Sequence, residues 1–149
     1  DRDWSSDVCS SDLLAVLPLM LIFLLQFSID RMNHARTGLL SDCVYIAKEQ
    51  ARAKGCFTNE ISEELKDRIS EVLEIDSDSV LIEATGEPQY RVQGNGYAGD
   101  GVASRGLIYY KVSVPMGQIM AAPRLFGIRE EDNQLLFTLE GWTASELLP

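Results

Sequence analysis

An uncharged apolar run, from Leu13 to Ile29, is the strongest feature in the pattern of polar and apolar positions. At a helical rise of about 1.5 Å per residue, the run would extend roughly 25 Å, slightly less than a bilayer core of about 30 Å. A helix at a protein–water boundary would show a polar face, and this run has none. The pattern therefore favours a helix that lies in a membrane.

A secretory signal peptide is the main alternative for this run, because the apolar region of a signal peptide is also short. However, no small-x-small cleavage site precedes the charged pair Asp30-Arg31. We therefore expect a transmembrane helix over residues 13–29.

Helical periodicity continues after the run, from Asp30 to Lys54. Gly55 is typical of the left-handed residue that follows a helix. We therefore expect a helical stalk over residues 30–57 and a soluble α+β domain over residues 58–149. The predicted apolar stripe of the stalk consists of Leu40, Cys43 or Val44, Ala47 and Ala51.

A second, shorter helix is predicted after Phe57, with Thr58 or Asn59 as its N-cap. The cluster Asp76-Ser77-Asp78-Ser79 should end it as a turn, since the glycine and the closing glutamate of a calcium-binding loop are missing. The predicted buried stripe consists of Ile61, Leu65, Ile69 and Val72 or Leu73.

The remaining chain predicts a small antiparallel sheet of about four strands, which completes an α+β fold. Pro115 and Gly117 are expected to end the third strand, and Ile119–Ile128 to form a connector with a helical turn. The expected strands are Val80–Thr85, Tyr90–Gln93, Leu107–Val114 and Gln134–Thr143.

The segment Gly94–Gly99 reads G-x-G-x-x-G, which is the spacing of a dinucleotide-binding loop. In such a loop the glycines open a helix, and the N-terminus of that helix holds the pyrophosphate. Here residues 100–106 form another turn-rich stretch, and no acidic residue follows about twenty positions later. We therefore expect a hairpin loop, and we expect no nucleotide as a partner.

Residues 3–13 read Asp-Trp-Ser-Ser-Asp-Val-Cys-Ser-Ser-Asp-Leu and resemble a translated sequencing adapter over their whole length. We therefore expect residues 1–12 to be adapter-derived. The full chain has 13 basic and 23 acidic residues, a net charge of −10. Without the one basic and four acidic residues of this segment, 12 basic and 19 acidic residues remain, a net charge of −7. This surplus argues against a nucleic-acid partner, whose phosphates require a basic surface.

Few residues offer chemistry for catalysis or metal binding. With Cys9 set aside, Cys43 and Cys56 remain, and on one helix they would lie about 20 Å apart, too far for a disulfide. These thiols and the single histidine, His34, are too few for a zinc site, and no serine or cysteine nucleophile is close to His34 in the sequence. We expect half-buried structural cysteines and no catalytic, cofactor-binding or metal site.

The segment from Ala15 to Asp30 resembles the N-terminal segment of TadE-like proteins, minor pilin-like components of Flp/Tad pilus assembly systems. The family pattern has a glutamate, a few apolar residues, Leu-Pro, a leucine-rich run and a closing acidic residue. Leu17-Pro18 and Asp30 match its later parts, whereas the glutamate position falls on Asp12. The downstream order of helix, short helix and antiparallel strands also resembles small TadE-like and pilin-like proteins of Gram-positive bacteria.

The resemblance implies a structural, pilin-like membrane subunit whose partners are the membrane and other pilin-like or pilus-assembly membrane proteins. It also implies a soluble domain outside the cytoplasm. Arg31, Arg36 and Lys48 would instead favour a cytoplasmic domain by the positive-inside rule. We follow the resemblance, because the native charges before the run are missing. The alternative function is a membrane-tethered binding or accessory domain unrelated to filaments.

Membrane helices associate through close packing and through small or polar contacts. Gln26 is the sharpest candidate, since a lone amide near hydrocarbon gains roughly 1 kcal/mol from a partner across the interface. Its alternative role is simply to reach the lipid headgroups. The full set of helix-packing candidates is Ala15, Pro18, Gln26, Ser28 and Gly38.

Overall fold

The computed structural model describes residues 4–92 and 105–149, with side chains from residue 12 onward. The G-x-G-x-x-G sequence and the side chains before Asp12 lie outside this described part. The helices are α1 (Trp4–Lys54) and α2 (Asn59–Leu73), and the strands are β1 (Leu81–Ala84), β2 (Leu107–Gln118) and β3 (Gln134–Ala144). Short 3-10 turns cover Ser77–Ser79, Pro123–Phe126 and Glu130–Asp132.

The predicted α+β class is confirmed, with three antiparallel strands rather than four among the described residues. The chain divides into two compact units. The first contains Asp1–Ala35 and Gly117–Leu135, and the second contains Arg36–Met116 and Leu136–Pro149. Helix α1 and strands β2 and β3 contribute residues to both units.

The core of the second unit is built from the apolar stripes that periodicity predicts. Along β2 the buried face consists of alternating residues, as the two-residue period of a strand requires. The stripe of α2 ends on Leu73, whereas Val72 is exposed. The core side chains from these elements are Leu40, Cys43, Val44, Ala47 and Ala51 of α1, Ile61, Leu65, Ile69 and Leu73 of α2, and Ile108, Val112, Val114 and Met116 of β2. Cys56, Phe57 and Val80, which lie outside these elements, are also buried.

Both ends of α2 are capped by local chemistry. The Thr58 hydroxyl oxygen accepts a hydrogen bond from the N–H of Ile61 at 3.3 Å, so Thr58 is the predicted N-cap. Glu74 ends the helix with φ of 53°, and its N–H donates to the carbonyl of Ser70. These caps satisfy backbone groups that have no partner inside the helix.

The prediction of a strand at Tyr90–Gln93 is wrong for its described residues, Tyr90–Val92. Backbone groups in and beside this segment bond to other parts of the chain. The N–H of Gln89 donates to the carbonyl of Gly55 at 2.8 Å. The N–H of Arg91 donates to the carbonyl of Leu147 at 2.7 Å. These bonds join the segment to a helix end and to the C-terminal tail, so it does not form a strand ladder.

Strand β2 does not end at Pro115 and Gly117 as expected but continues to Gln118. Its partner β1 is short, and the pairing runs only from Leu81 opposite Ser113 to Ala84 opposite Tyr110. Beyond Ser113, therefore, β2 has no β1 residue beside it. Proline is tolerated where a strand edge is open, because its missing N–H leaves no ladder bond broken.

Side-chain pairs show that β2 and β3 are antiparallel neighbours. The hydroxyls of Ser113 and Thr138 lie 2.9 Å apart, and the ring centroids of Tyr109 and Trp142 lie 4.9 Å apart. The residue number rises on one strand as it falls on the other, which is the antiparallel pattern. Such cross-strand pairs each contribute about 0.2–1 kcal/mol relative to alanine pairs.

Gly55 and Gly38 make a matched pair for a stability test. Gly55 has φ of 80°, and an added Cβ would lie 2.6 Å from the carbonyl oxygen of Gln89 and 2.7 Å from Leu147 Cδ2. We expect Gly55→Ala to lower the free energy of unfolding by about 2 kcal/mol or more, because strain and steric overlap add. Gly38 lies within α1 with open space around it, so Gly38→Ala should raise the free energy of unfolding by about 0.5–1 kcal/mol.

Urea unfolding of the full chain in detergent micelles would measure both effects through the fluorescence of Trp142, in a Trp4→Phe background. Equal midpoints for Gly55→Ala and the parent would contradict the left-handed helix end.

Candidate functional site

The apolar run lies on a helix that is long and apolar enough to cross a membrane, with a mean hydropathy of 2.2 in its best window. The large apolar side chains in this run, apart from Ile22 and Ile29, are 48–75% exposed. A helix that exposes apolar groups on nearly all sides is not stabilised by water. Its length, composition and exposure are those of a helix that can lie in lipid.

A long connector, residues 119–133, joins β2 to β3 within the first unit. It is longer than the usual connection of about 4–6 residues, and binding and catalytic residues often lie on such connecting segments. The predicted helical turn is present at Pro123–Phe126, and Gly127 ends it with φ of 71°. The connector therefore has an ordered local structure of its own.

The side chain of Asn133 closes the base of this connector. Its Oδ1 accepts a hydrogen bond from the N–H of Met120 at 2.8 Å, and its Nδ2 donates to the carbonyl of Met120 at 2.9 Å. The backbone carbonyl of Asn133 also accepts from the N–H of Ile119. Asn133 is only 2% exposed, so a buried carboxamide uses both its donor and its acceptor on one residue.

The side chain of Gln26, on α1, also bonds to the backbone of the connector. Its Nε2 donates to the carbonyl of Ile119 at 2.8 Å and to Asp30 Oδ1 at 3.1 Å. Its Oε1 accepts from the N–H of Ala121 at 3.1 Å. The amide that the sequence marked as lone therefore has partners within its own chain.

An apolar groove lies beside these bonds, with a volume of about 480 Å³. Leu19, Ile22 and Phe23 of α1 form one wall, and residues 119–122 and Phe126 form the other. Gln26 supplies the polar side chain among the lining residues. A mostly apolar groove with a single polar side chain suits an apolar ligand rather than a charged one.

The five helix-packing candidates have different surroundings. Gln26 is half-buried against the connector, whereas Ala15, Pro18, Ser28 and Gly38 are exposed along α1. Pro18 lies inside α1, and the helix continues past it. The connector is therefore in contact with one candidate and leaves four exposed. Contact of these residues with a second membrane helix stays a prediction.

Asn133 and Asn33 are site residues that sequence reasoning missed. The Nδ2 of Asn33 donates to the carbonyl of Gln118 at 3.0 Å, next to the bonds of Gln26. Gln26 and Asn33 are seven residues apart, which places them on one helix face. This spacing of two carboxamides was a usable signal, whereas nothing in the sequence around Asn133 indicates its role.

Cys43 and Cys56 belong to the second unit and are unpaired. Each is 5% exposed, so both are fully buried and not half-buried as expected. Burial raises the pKa of the Cys43 thiol above its ordinary value, so the thiol is protonated at neutral pH. Within residues 12–92 and 105–149, no three His, Cys, Asp or Glu side chains are grouped so that they could hold a metal ion.

The chain matches no protein-family model, no curated protein and no solved structure. The class of the protein therefore rests on its own geometry. It is an α+β chain with a helix that could cross a membrane and a long connector bonded to that helix.

We expect Asn133→Ala to release the connector, because the N–H and carbonyl of Met120 lose their partners. Leaving such groups unsatisfied costs about 2 kcal/mol, which corresponds to roughly 30-fold more of the open form. Trypsin cleavage after Arg124, whose side chain is 82% exposed, should accelerate accordingly.

Gln134→Ala is the matched control, since its side chain is exposed one residue further along the chain. Equal cleavage rates for both variants and the parent would show that Asn133 does not hold the connector.

Proposed function

We propose that the chain is a single-pass membrane protein that serves as a structural, pilin-like subunit of a Tad/Flp-type pilus or secretion apparatus. The observation that carries the proposal is the division of α1 into an exposed apolar run and a buried stripe from Leu40 to Ala51. One helix thereby provides both a membrane anchor and part of the core of a folded unit. This division agrees with the TadE-like resemblance of residues 15–30.

Assembly through the membrane helix is the mechanism that we propose for this subunit. At 100° per residue, Leu17, Leu21, Leu24 and Ser28 lie on the side of α1 opposite Leu19, Ile22 and Phe23. This opposite face is exposed, and the connector does not occupy it. Ser28 provides a small polar contact there, the kind through which membrane helices associate.

The proposed orientation places the second unit outside the cytoplasm, as the TadE-like resemblance implies. A pilin-like subunit held in this way could remain in the membrane until neighbouring helices contact it. We propose other pilin-like or pilus-assembly membrane proteins as its partners.

The bonding of Gln26 within the chain favours a second candidate function, a membrane-tethered binding or accessory domain outside filaments. A helix whose amide already has partners gains less from a second helix than a helix with a lone amide. The two functions differ in whether α1 contacts other helices in the membrane.

The anchor itself is tested by alkaline extraction of membranes. The full-length chain should stay in the membrane pellet after an alkaline wash. The double variant Leu21→Arg, Leu24→Arg should move to the supernatant, because each arginine at the centre of a membrane helix costs about 2.5–3.5 kcal/mol. Leu136→Arg, at an exposed position outside the run, is the control and should stay in the pellet. Recovery of the parent chain in the supernatant would contradict a membrane anchor.

Assembly through α1 is tested by disulfide cross-linking in native membranes, in a Cys9→Ser background. Leu21→Cys and Ser28→Cys should form cross-linked adducts, since both lie on the exposed face opposite the connector. Leu107→Cys, at an exposed position on β2, is the control and should form none. Adducts confined to Leu107→Cys would mean that the strand drives association, and a lone protomer with no adducts would favour the accessory-domain function.

A further inference from the structure

The connector carries an apolar surface of its own, centred on the turn Pro123–Phe126. Leu125 is 71% exposed and Phe126 is 61% exposed, and they are adjacent in the chain. Ile119, at the start of the connector, is also an exposed apolar residue. Adjoining exposed apolar side chains are a feature of surfaces that contact a protein, a ligand or a membrane.

Six backbone N–H groups of residues 119–128 donate to partners within the first unit. The N–H groups of Ile119, Met120 and Ala121 donate to Asn133 or Gln26. The N–H groups of residues 125, 127 and 128 donate to carbonyls of residues 122–124. An exposed loop in water has no need of such partners, whereas a segment in contact with lipid does.

The groove between the connector and α1 continues the apolar surface of the candidate membrane span. Leu19, Ile22 and Phe23 belong to the run that could cross a membrane. From Leu19 to Gln26 the helix rises about 10 Å, so the groove follows the run from its middle towards Asp30. Lipid that surrounds the run would therefore also reach the groove.

Charged side chains border this apolar surface on one side. Arg124, next to Leu125, pairs with Glu130 at 2.8 Å. Arg129 pairs with Glu131 and Asp132, each at 3.0 Å. An apolar tip with long charged side chains beside it is suited to the boundary between acyl chains and headgroups.

From these contacts we propose that residues 119–128 of the connector are a second lipid-contacting element, with Leu125 and Phe126 in the bilayer and acyl chains in the groove. The proposal rests on the membrane anchor of the proposed function. The occupant is the phospholipid that surrounds the helix. Gln26 and Asn133 then have a positioning role, because they keep the connector's backbone bonded where water is scarce.

Contact with lipid is measured by fluorescence quenching in phosphatidylcholine vesicles whose acyl chains carry bromine. The full chain, with Trp4 and Trp142 replaced by Phe, would carry one tryptophan reporter at a time. Phe126→Trp and Leu125→Trp report the connector, and both replace exposed side chains. Leu24→Trp reports the membrane span, and Glu131→Trp is the control at an exposed charged position of the connector outside residues 119–128.

We expect brominated acyl chains to reduce the emission of Phe126→Trp, Leu125→Trp and Leu24→Trp about twofold. Bromine quenches tryptophan on contact, and the proposal places these three reporters against acyl chains. Glu131→Trp should keep its emission. If Leu24→Trp is quenched and neither Leu125→Trp nor Phe126→Trp is, this proposal is overturned and the membrane anchor is supported. Loss of quenching at all positions would overturn the anchor, and this proposal with it.

A second copy of the chain is the competing occupant of the groove. Quenching of Phe126→Trp should be the same at low and high protein-to-lipid ratio if lipid fills the groove. A decrease in quenching as the ratio rises, with Leu24→Trp unchanged, would identify another protomer as the occupant and overturn the proposal.

Discussion

An irregular segment can lie against a mostly apolar helix only if its backbone N–H and C=O groups find polar partners. In this protein two carboxamides meet that condition. Gln26 bonds to Ile119 and Ala121 from the helix, and Asn133 bonds to both backbone groups of Met120. Each carboxamide gives the connector one donor, which bonds to a backbone C=O, and one acceptor, which bonds to a backbone N–H. The groove and the exposed turn at Leu125 and Phe126 depend on this arrangement.

Helix α1 has two different patterns of exposed and buried side chains along its length. From Leu40 to Ala51, one stripe is buried in the second unit and the opposite side is polar or exposed. From Leu13 to Phe27, apolar side chains are exposed on most sides. The first pattern is stabilised by packing within the chain, and the second is stabilised only by an apolar surrounding. Polar groups such as Gln26 and Asn33 lie where the apolar run gives way to the amphipathic part of the helix.

The bonding of Gln26 changes how association through the helix should be understood. A polar group inside an apolar run usually indicates a contact, because its desolvation without a hydrogen bond is unfavourable. Here the contact is made by the same chain, through residues far away in the sequence. The exposed face around Leu21 and Ser28 is therefore the better candidate for contact with another helix, since the small polar side chain of Ser28 is exposed there.

The local sequence by itself determined the apolar run through its composition, the buried stripes of both helices through their periodicity, and the Thr58 cap through its residue type. Each of these depends on residues close together in the chain, so the information is local. Tertiary structure alone decided that Tyr90–Val92 forms no strand, that β2 continues through Pro115, and that Gln26 and Asn133 bond to one connector. Strand formation depends on which neighbour is present at each backbone group, and a carboxamide can bond to any backbone within reach. Both depend on partners far apart in the chain, and only the folded structure brings those partners together.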